Sequence, residues 1–213
     1  MYYLYLPQHR KCLTPPPQKI EVASSVGIYG GYFPSGFPVI DSPVIQGETN
    51  ISYRGFTLTL WGSYDIERNR ANEWDAIVDY SRKVGKLNLS TGYGYFVIPH
   101  TDVDKLNNVY GRVSFDVPLN PSVKWEYLFN DGSGHVFTFG VEHEFDVPIK
   151  LSAAAVYNHE MFLDDSEFTH LKGSIGVPLR KGKLKVTPSI NGIKALDHQN
   201  FEDQLFFSVR FDF

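Results

Sequence analysis

The chain has 213 residues, with 24 acidic and 20 basic side chains, a formal net charge of −4, a single cysteine (Cys12) and 15% aromatic residues. So even a balance leaves no basic field for nucleic acid. One cysteine excludes an intrachain disulfide framework, and no run of about 18 consecutive apolar residues supplies a transmembrane helix.

Length allows one large β domain or two small ones, and the 18 glycines and 13 prolines suit strands joined by tight turns. Residues 1–18 read as an irregular arm ending in "TPPPQ", and 19–213 as one domain. The arm opens "MYYLYLPQHRKC", whose apolar run is short and precedes its basic cluster (His9, Arg10, Lys11), so it does not have the usual form of a cleavable leader.

From residue 19 onward the pattern has period two. Phe56, Leu58, Leu60, Gly62 and Tyr64 alternate with Thr57, Thr59, Trp61 and Ser63. Trp74, Ala76, Val78 and Tyr80 alternate with Asp75, Ile77, Asp79 and Ser81. The same alternation recurs in "IKLSAAAVY" and "LKVTPSINGI", and no comparable segment prefers helical spacing. It predicts about twelve strands, at 19–29, 44–53, 56–66, 73–82, 86–97, 107–117, 122–130, 135–146, 149–158, 168–178, 183–193 and 203–213. Most reach the ~9–11 residues that a tilted strand needs to cross a bilayer.

Connections alternate in length. The short set is "RG" (54–55), "KVG" (83–85), "LNPS" (119–122), "VP" (147–148) and "RKGK" (180–183). The long set covers 32–43, 67–73, 98–107, 159–168 and 195–203, with "NDGSG" (130–134) as its one short member. In an up-and-down meander this puts tight turns on one rim and long loops on the other, as in outer-membrane barrels. Aromatics also bracket the apolar face (Phe56 and Tyr64, Trp74 and Tyr80), as two interfacial girdles would. A soluble sandwich or lipocalin-like binder is the rival reading, but it gives no reason to sort loops by length.

The segments "SPVIQGETNISYRGFTLTLWGSYDIE" (42–67), "LNLSTGYGYF" (87–96), "NNVYGRVSFDVPLNPSVKWEYLFNDGSG" (107–134) and "LKVTPSINGIKALD" (184–197) resemble the TorF-like porin family of bacterial outer-membrane proteins. The resemblance covers most of the chain from about residue 19. It implies an outer-membrane β-barrel with a pore role, names no substrate, and departs from the family at the leader.

Catalytic chemistry finds little support. Ser133 and His135 in "DGSGHV" have no sequence-defined acid partner, and Asp131-Gly132 is a favoured turn pair. The long loops hold His100, Asp102, Asp104, His159, Glu160, Asp164, Asp165, Glu167, Asp197, His198, Glu202 and Asp203. A cation site among them is sterically open, but no spacing matches an established ligand motif, and a hydrated acidic rim is the plainer reading. No cofactor and no metal are expected.

The fold expected is therefore all-β: a single antiparallel up-and-down transmembrane β-barrel, with both ends on the periplasmic side. With the apolar set facing lipid, the pore-lining candidates are Glu48, Trp61, Asp65, Asp75, Asp79, Tyr110, Arg112, Asp116, Lys124, Glu126, Glu142, Glu144, Lys150, Lys172, Lys185 and Arg210. Asp212 also faces inward, giving acids a slight excess over bases. Twelve strands fall between a filled eight-stranded barrel and an open ~16-stranded porin, and Trp61, Tyr110 and Phe206 would narrow the bore.

The function expected is a narrow channel for passive diffusion of small solutes or ions. The alternative is a non-conducting scaffold that binds partners through its loops. Partners implied are the bilayer, lipopolysaccharide and the outer-membrane assembly machinery, which would read the terminal Phe213; nucleic acid is not among them. Phe207, Val209, Phe211 and Phe213 sit on the last strand, which must pair with the first to close the barrel.

Overall fold

The computed structural model describes residues 19–32, 40–101, 105–130, 133–161, 166–196 and 202–213. The expected arm (1–18, with Cys12) lies outside them, as do Asp102, Asp104, Asp131, Gly132, Asp164, Asp165, Asp197 and His198.

Period-two alternation builds β1 (Glu21–Tyr29), β2 (Val44–Tyr53), β3 (Phe56–Asp65), β4 (Arg70–Val84), β5 (Leu87–Val97), β6 (Lys105–Phe115) and β7 (Ser122–Asn130). It continues through β8 (Gly134–Glu144), β9 (Lys150–His159), β10 (Ser166–Gly176), β11 (Leu179–Lys181), β12 (Leu184–Ala195) and β13 (Gln204–Asp212). The sheet runs β10-β9-β8-β7-β6-β5-β4-β3-β2-β1-β13-β12-β11, and β10 also pairs with β12. That last pairing closes the sheet into a transmembrane barrel of twelve staves.

β11 is the one strand beyond the sequence expectation. It continues the line of β10 along β12 after an interruption at Val177-Pro178, where proline has no N–H to give. Val177 N–H still donates to Pro188 O at 2.9 Å, so the strand is broken locally and not redirected.

Two further differences concern boundaries. β4 starts at Arg70, so the loop expected at 67–73 shrinks to 66–69. The connection after β6 spans 116–121, which puts Asp116 outside any strand.

Following the register partners once round the barrel returns to β1 about 16 residues further along. With a rise of about 3.3 Å per residue and strands about 4.8 Å apart, that stagger tilts the strands by roughly 43° and sets a backbone radius of roughly 12 Å. A tilted ten-residue strand then spans roughly 24 Å, the height of a bilayer's apolar band.

The outer surface is dominated by apolar side chains. Phe56, Leu58, Leu60, Tyr64, Trp74, Val78 and Tyr80 are all exposed, and so are Leu205 (75%) and Phe207 (68%). In water such a surface would be a large aggregation liability; lipid is its natural solvent. Its aromatics gather at both ends, with Phe56–Tyr80 (4.9 Å between centroids) beside the tight turns and Trp74–Tyr95 (5.8 Å) and Tyr157–Phe168 (5.2 Å) toward the long loops.

The tight turns follow from backbone rules. Arg54 (φ 50°) and Gly55 (φ 88°) take the two positive φ values of a type I′ hairpin. Gly85 (φ 61°) and Gly182 (φ 62°) stand first in two-residue turns, where type II′ demands glycine.

Removing residues 205–213 would leave β1 and β12 with unpaired edges inside an apolar environment. The expected result is loss of the compact, heat-modifiable band on unboiled gels after refolding into detergent. Phe213→Asp should lower the refolded yield in the same assay, because it puts a charge on the outer face.

Candidate functional site

Alternation sends the other half of each strand to the lumen, and the structure places the sequence-predicted residues there in three zones. At the tight-turn rim, Asp116 pairs with Lys83. Glu144 there receives Arg180 at 3.0 Å and Lys185 at 3.4 Å, so the β11 hairpin is tied across to β8.

Along the tight-turn half of the wall, carboxylates neutralise neighbouring bases. Lys124 reaches Glu126 at 2.9 Å, Lys150 reaches Glu142 at 2.9 Å, and Arg210 reaches Asp212 at 2.7 Å. Glu126, 2% exposed, also accepts from Asn108 Nδ2 at 2.9 Å. Lys124 sits over the Tyr110 ring, 4.7 Å from its centroid. Arg112 lies within electrostatic reach of Glu142, Asp79 of Lys124, and Lys172 of Glu126. Glu48 faces the lumen on β2, opposite Trp61 in register.

Toward the long loops the lumen fills. One cluster packs Phe96, Leu106, Leu128, Val136, Val156 and Met161 against Ile77 and Ile98. A second packs Tyr29, Tyr32, Ile40 and Val44 against Trp61. Asp65, fully buried, takes Ser42 Oγ at 3.0 Å and Arg68 Nη1 at 2.8 Å. That hydrogen bond and charge hold the exposed Arg68 guanidinium above its ordinary pKa.

Three inner-wall glycines make room for aromatic rings. A Cβ at Gly92 would lie 2.7 Å from the Tyr110 ring, one at Gly94 2.4 Å from Phe96, and one at Gly27 2.7 Å from Tyr29. The rings therefore lie flat on the wall.

Reading from sequence missed Tyr29, whose hydroxyl hydrogen-bonds Arg210, and Tyr32, Glu73, His170 and Met161. Glu73 stands where the expected loop 67–73 and strand 73–82 meet, and it shares the parity of Asp75. His170 sits beside a β-bulge between Phe168 and His170 that turns both Thr169 and His170 into buried positions.

The Ser133–His135 pair does not form a site. His135 lies on the outer face, accepts from Trp125 Nε1 at 3.1 Å and stacks on His159 at 5.8 Å. The loop groups do not converge either: Asp203 pairs with Lys194 at 2.6 Å, His159 bonds Ser166, and no three His, Cys, Asp or Glu residues gather into a metal-ligating set among the described residues. On the closing strand, Phe207 and Phe213 are exposed and Val209 and Phe211 half-buried.

The chain matches no protein-family model and no curated protein sequence. Among solved structures it is similar to the KdgM porin in complex with disordered oligogalacturonate, with a TM-score of 0.64 at 10% identity, covering 91% of this chain and 98% of that one. The NanC porin is also similar, with a TM-score of 0.57 at 9% identity and coverage of 90% and 98%. The fold is that of a small porin barrel. At such low identity the likeness carries architecture and nothing about solutes.

Glu126→Gln keeps an acceptor for Asn108 but removes the charge beside Lys124. It should cost about 1–3 kcal/mol in urea unfolding from detergent micelles. Lys124→Met paired with Glu126→Gln should recover most of that loss.

Proposed function

We propose that the protein is a narrow outer-membrane channel for passive diffusion of small solutes or ions. The observation that carries this is the inner wall: a closed barrel of about 12 Å backbone radius lined by paired charges of both signs. A barrel serving only as an anchor gains nothing from a charged interior, since apolar packing would stabilise it at least as well.

Affiliation with the TorF-like porins, location in the bacterial outer membrane and reading of Phe213 by the assembly machinery belong to the same proposal. The porin architecture and the lipid-facing girdles support it.

One structural neighbour, the KdgM porin, is in complex with disordered oligogalacturonate, and an anionic saccharide would want a continuous cationic track. Here Lys124 and Lys150 are each met by a carboxylate at 2.9 Å. The reading therefore stays with small solutes and a mild preference for cations, from the acids Glu48, Asp75 and Asp79 on β2 and β4.

A second reading has its own observation. The two clusters near the long loops narrow the bore, and if they seal it the barrel is a scaffold whose loops do the work. Planar bilayers decide between the two. The channel reading expects step conductance with a cation-selective reversal potential, and Glu48→Gln with Asp79→Asn should lower the cation-to-anion permeability ratio about two-fold. Silent bilayers from correctly folded protein would establish the scaffold.

A further inference from the structure

Among the described residues, five buried side-chain polar atoms without a hydrogen-bond partner belong to one patch of wall: Gln46 Nε2, Ser63 Oγ, Asn72 Oδ1 and Nδ2, and Asp75 Oδ1. Such atoms are rare in native proteins, because each forfeits its hydration without replacement. A concentration in one place therefore calls for a ligand.

The register explains how they meet. Gln46 pairs with Ser63, and Ser63 with Glu73, across β2, β3 and β4. The β-bulge beside Ser63 leaves Asn72 unmatched, so Asn72 and Glu73 are both buried, at 4% and 2% exposure. Asp75, at 4%, follows on the same face, and its carboxyl is in hydrogen-bonding contact with that of Glu73. Tyr32 closes the patch by donating its hydroxyl to Glu73 Oε2 at 2.6 Å.

Two carboxylates this close and this dry need a positive charge or a shared proton between them.

We propose that Glu73, Asp75, Asn72 and Ser63 form a dehydrated site for a hard divalent cation of the Ca²⁺ class, with Gln46 completing the shell through its amide oxygen. The donors are all oxygens, two of them anionic and the rest neutral, which is the ligand chemistry of Ca²⁺ and not of softer metals. The irregular bulge suits the flexible coordination of Ca²⁺ better than the strict octahedron of Mg²⁺. Gln46 contributes by a rotation of its amide, whose nitrogen is unpartnered. The cation would fasten three neighbouring strands where the loop after β1 comes down on the wall through Tyr32. It does so whether or not the barrel conducts.

The test uses the full chain refolded in detergent and stripped with chelator, with Tb³⁺ as the probe. Tyr32 on Glu73, with Trp61 5.7 Å from Tyr32, supplies the sensitising rings. Saturable luminescence displaced by Ca²⁺ more readily than by Mg²⁺ is expected, together with a Ca²⁺-dependent rise in the heat-modification midpoint. Glu73→Gln with Asp75→Asn should abolish both responses, and Ser63→Ala or Asn72→Ala, which keep the carboxylates, should weaken binding about tenfold. Tb³⁺ binding that survives the double substitution would overturn the site. So would a wild-type midpoint indifferent to Ca²⁺, because the two carboxyls would then be sharing a proton.

Discussion

Everything in this molecule answers to one constraint: a peptide group facing hydrocarbon has no water to bond, so each N–H and C=O must find a partner inside the chain. A sheet can meet it only by having no edge. The first and last strands therefore pair, Ser25 with Asp212 through Tyr29 with Ser208, and the pairing continues beyond both strands. Gly30 N–H reaches Phe207 O and Phe213 N–H reaches Ser24 O, each at 2.9 Å. An ending that looks too apolar for a chain terminus is the stave that removes two edges at once.

Closure then divides the chemistry. Outside, lipid takes the apolar set, and only interfacial rings need a polar contact. Inside, a radius of about 12 Å is too wide for side chains to fill completely with apolar groups and too narrow for bulk water. The chain uses both solutions at different heights. Apolar and tyrosine clusters occupy the long-loop end, and charge pairs, within one strand or between neighbours, occupy the tight-turn half. The ion pairs lie within β7 and β13 and join β8 to β9, β11 and β12, while the acids of β2 to β4 have fewer bases nearby. That asymmetry underlies both the expected cation preference and the proposed cation site.

Period-two alternation made most of this legible. Because a strand has only two faces, knowing that Phe56 faces out settles Trp61 and Asp65, and the structure puts all sixteen sequence-selected lining candidates on the inner parity, with Asp116 just past its strand. What alternation cannot register is a residue that breaks it. The bulges at Asn72 and Thr169 insert one residue each and bury two in succession, so Asn72 and Thr169 point inward against the alternation. Nor could alternation foresee that Tyr32 and Met161, from connections, fold back into the lumen, since those contacts depend on where loops land and not on strand parity. β11 was hidden by Pro178, which reads as the end of a strand although the hydrogen bonding of β12 carries on past it.

The flat rings on the inner glycines have an implication for how such a conduit changes its gauge. Tyr29, Tyr110 and Phe96 lie in hollows that exist only because Gly27, Gly92 and Gly94 lack a side chain. The free cross-section is thus governed by absent atoms in the wall more than by the size of the residues that point at the axis. One methyl group at Gly27 would first meet the Tyr29 side chain, at 2.7 Å, and that ring is free to swing toward the axis. Calibre in this architecture can therefore be retuned by a single carbon, with strand number, stagger and lining charges left as they are.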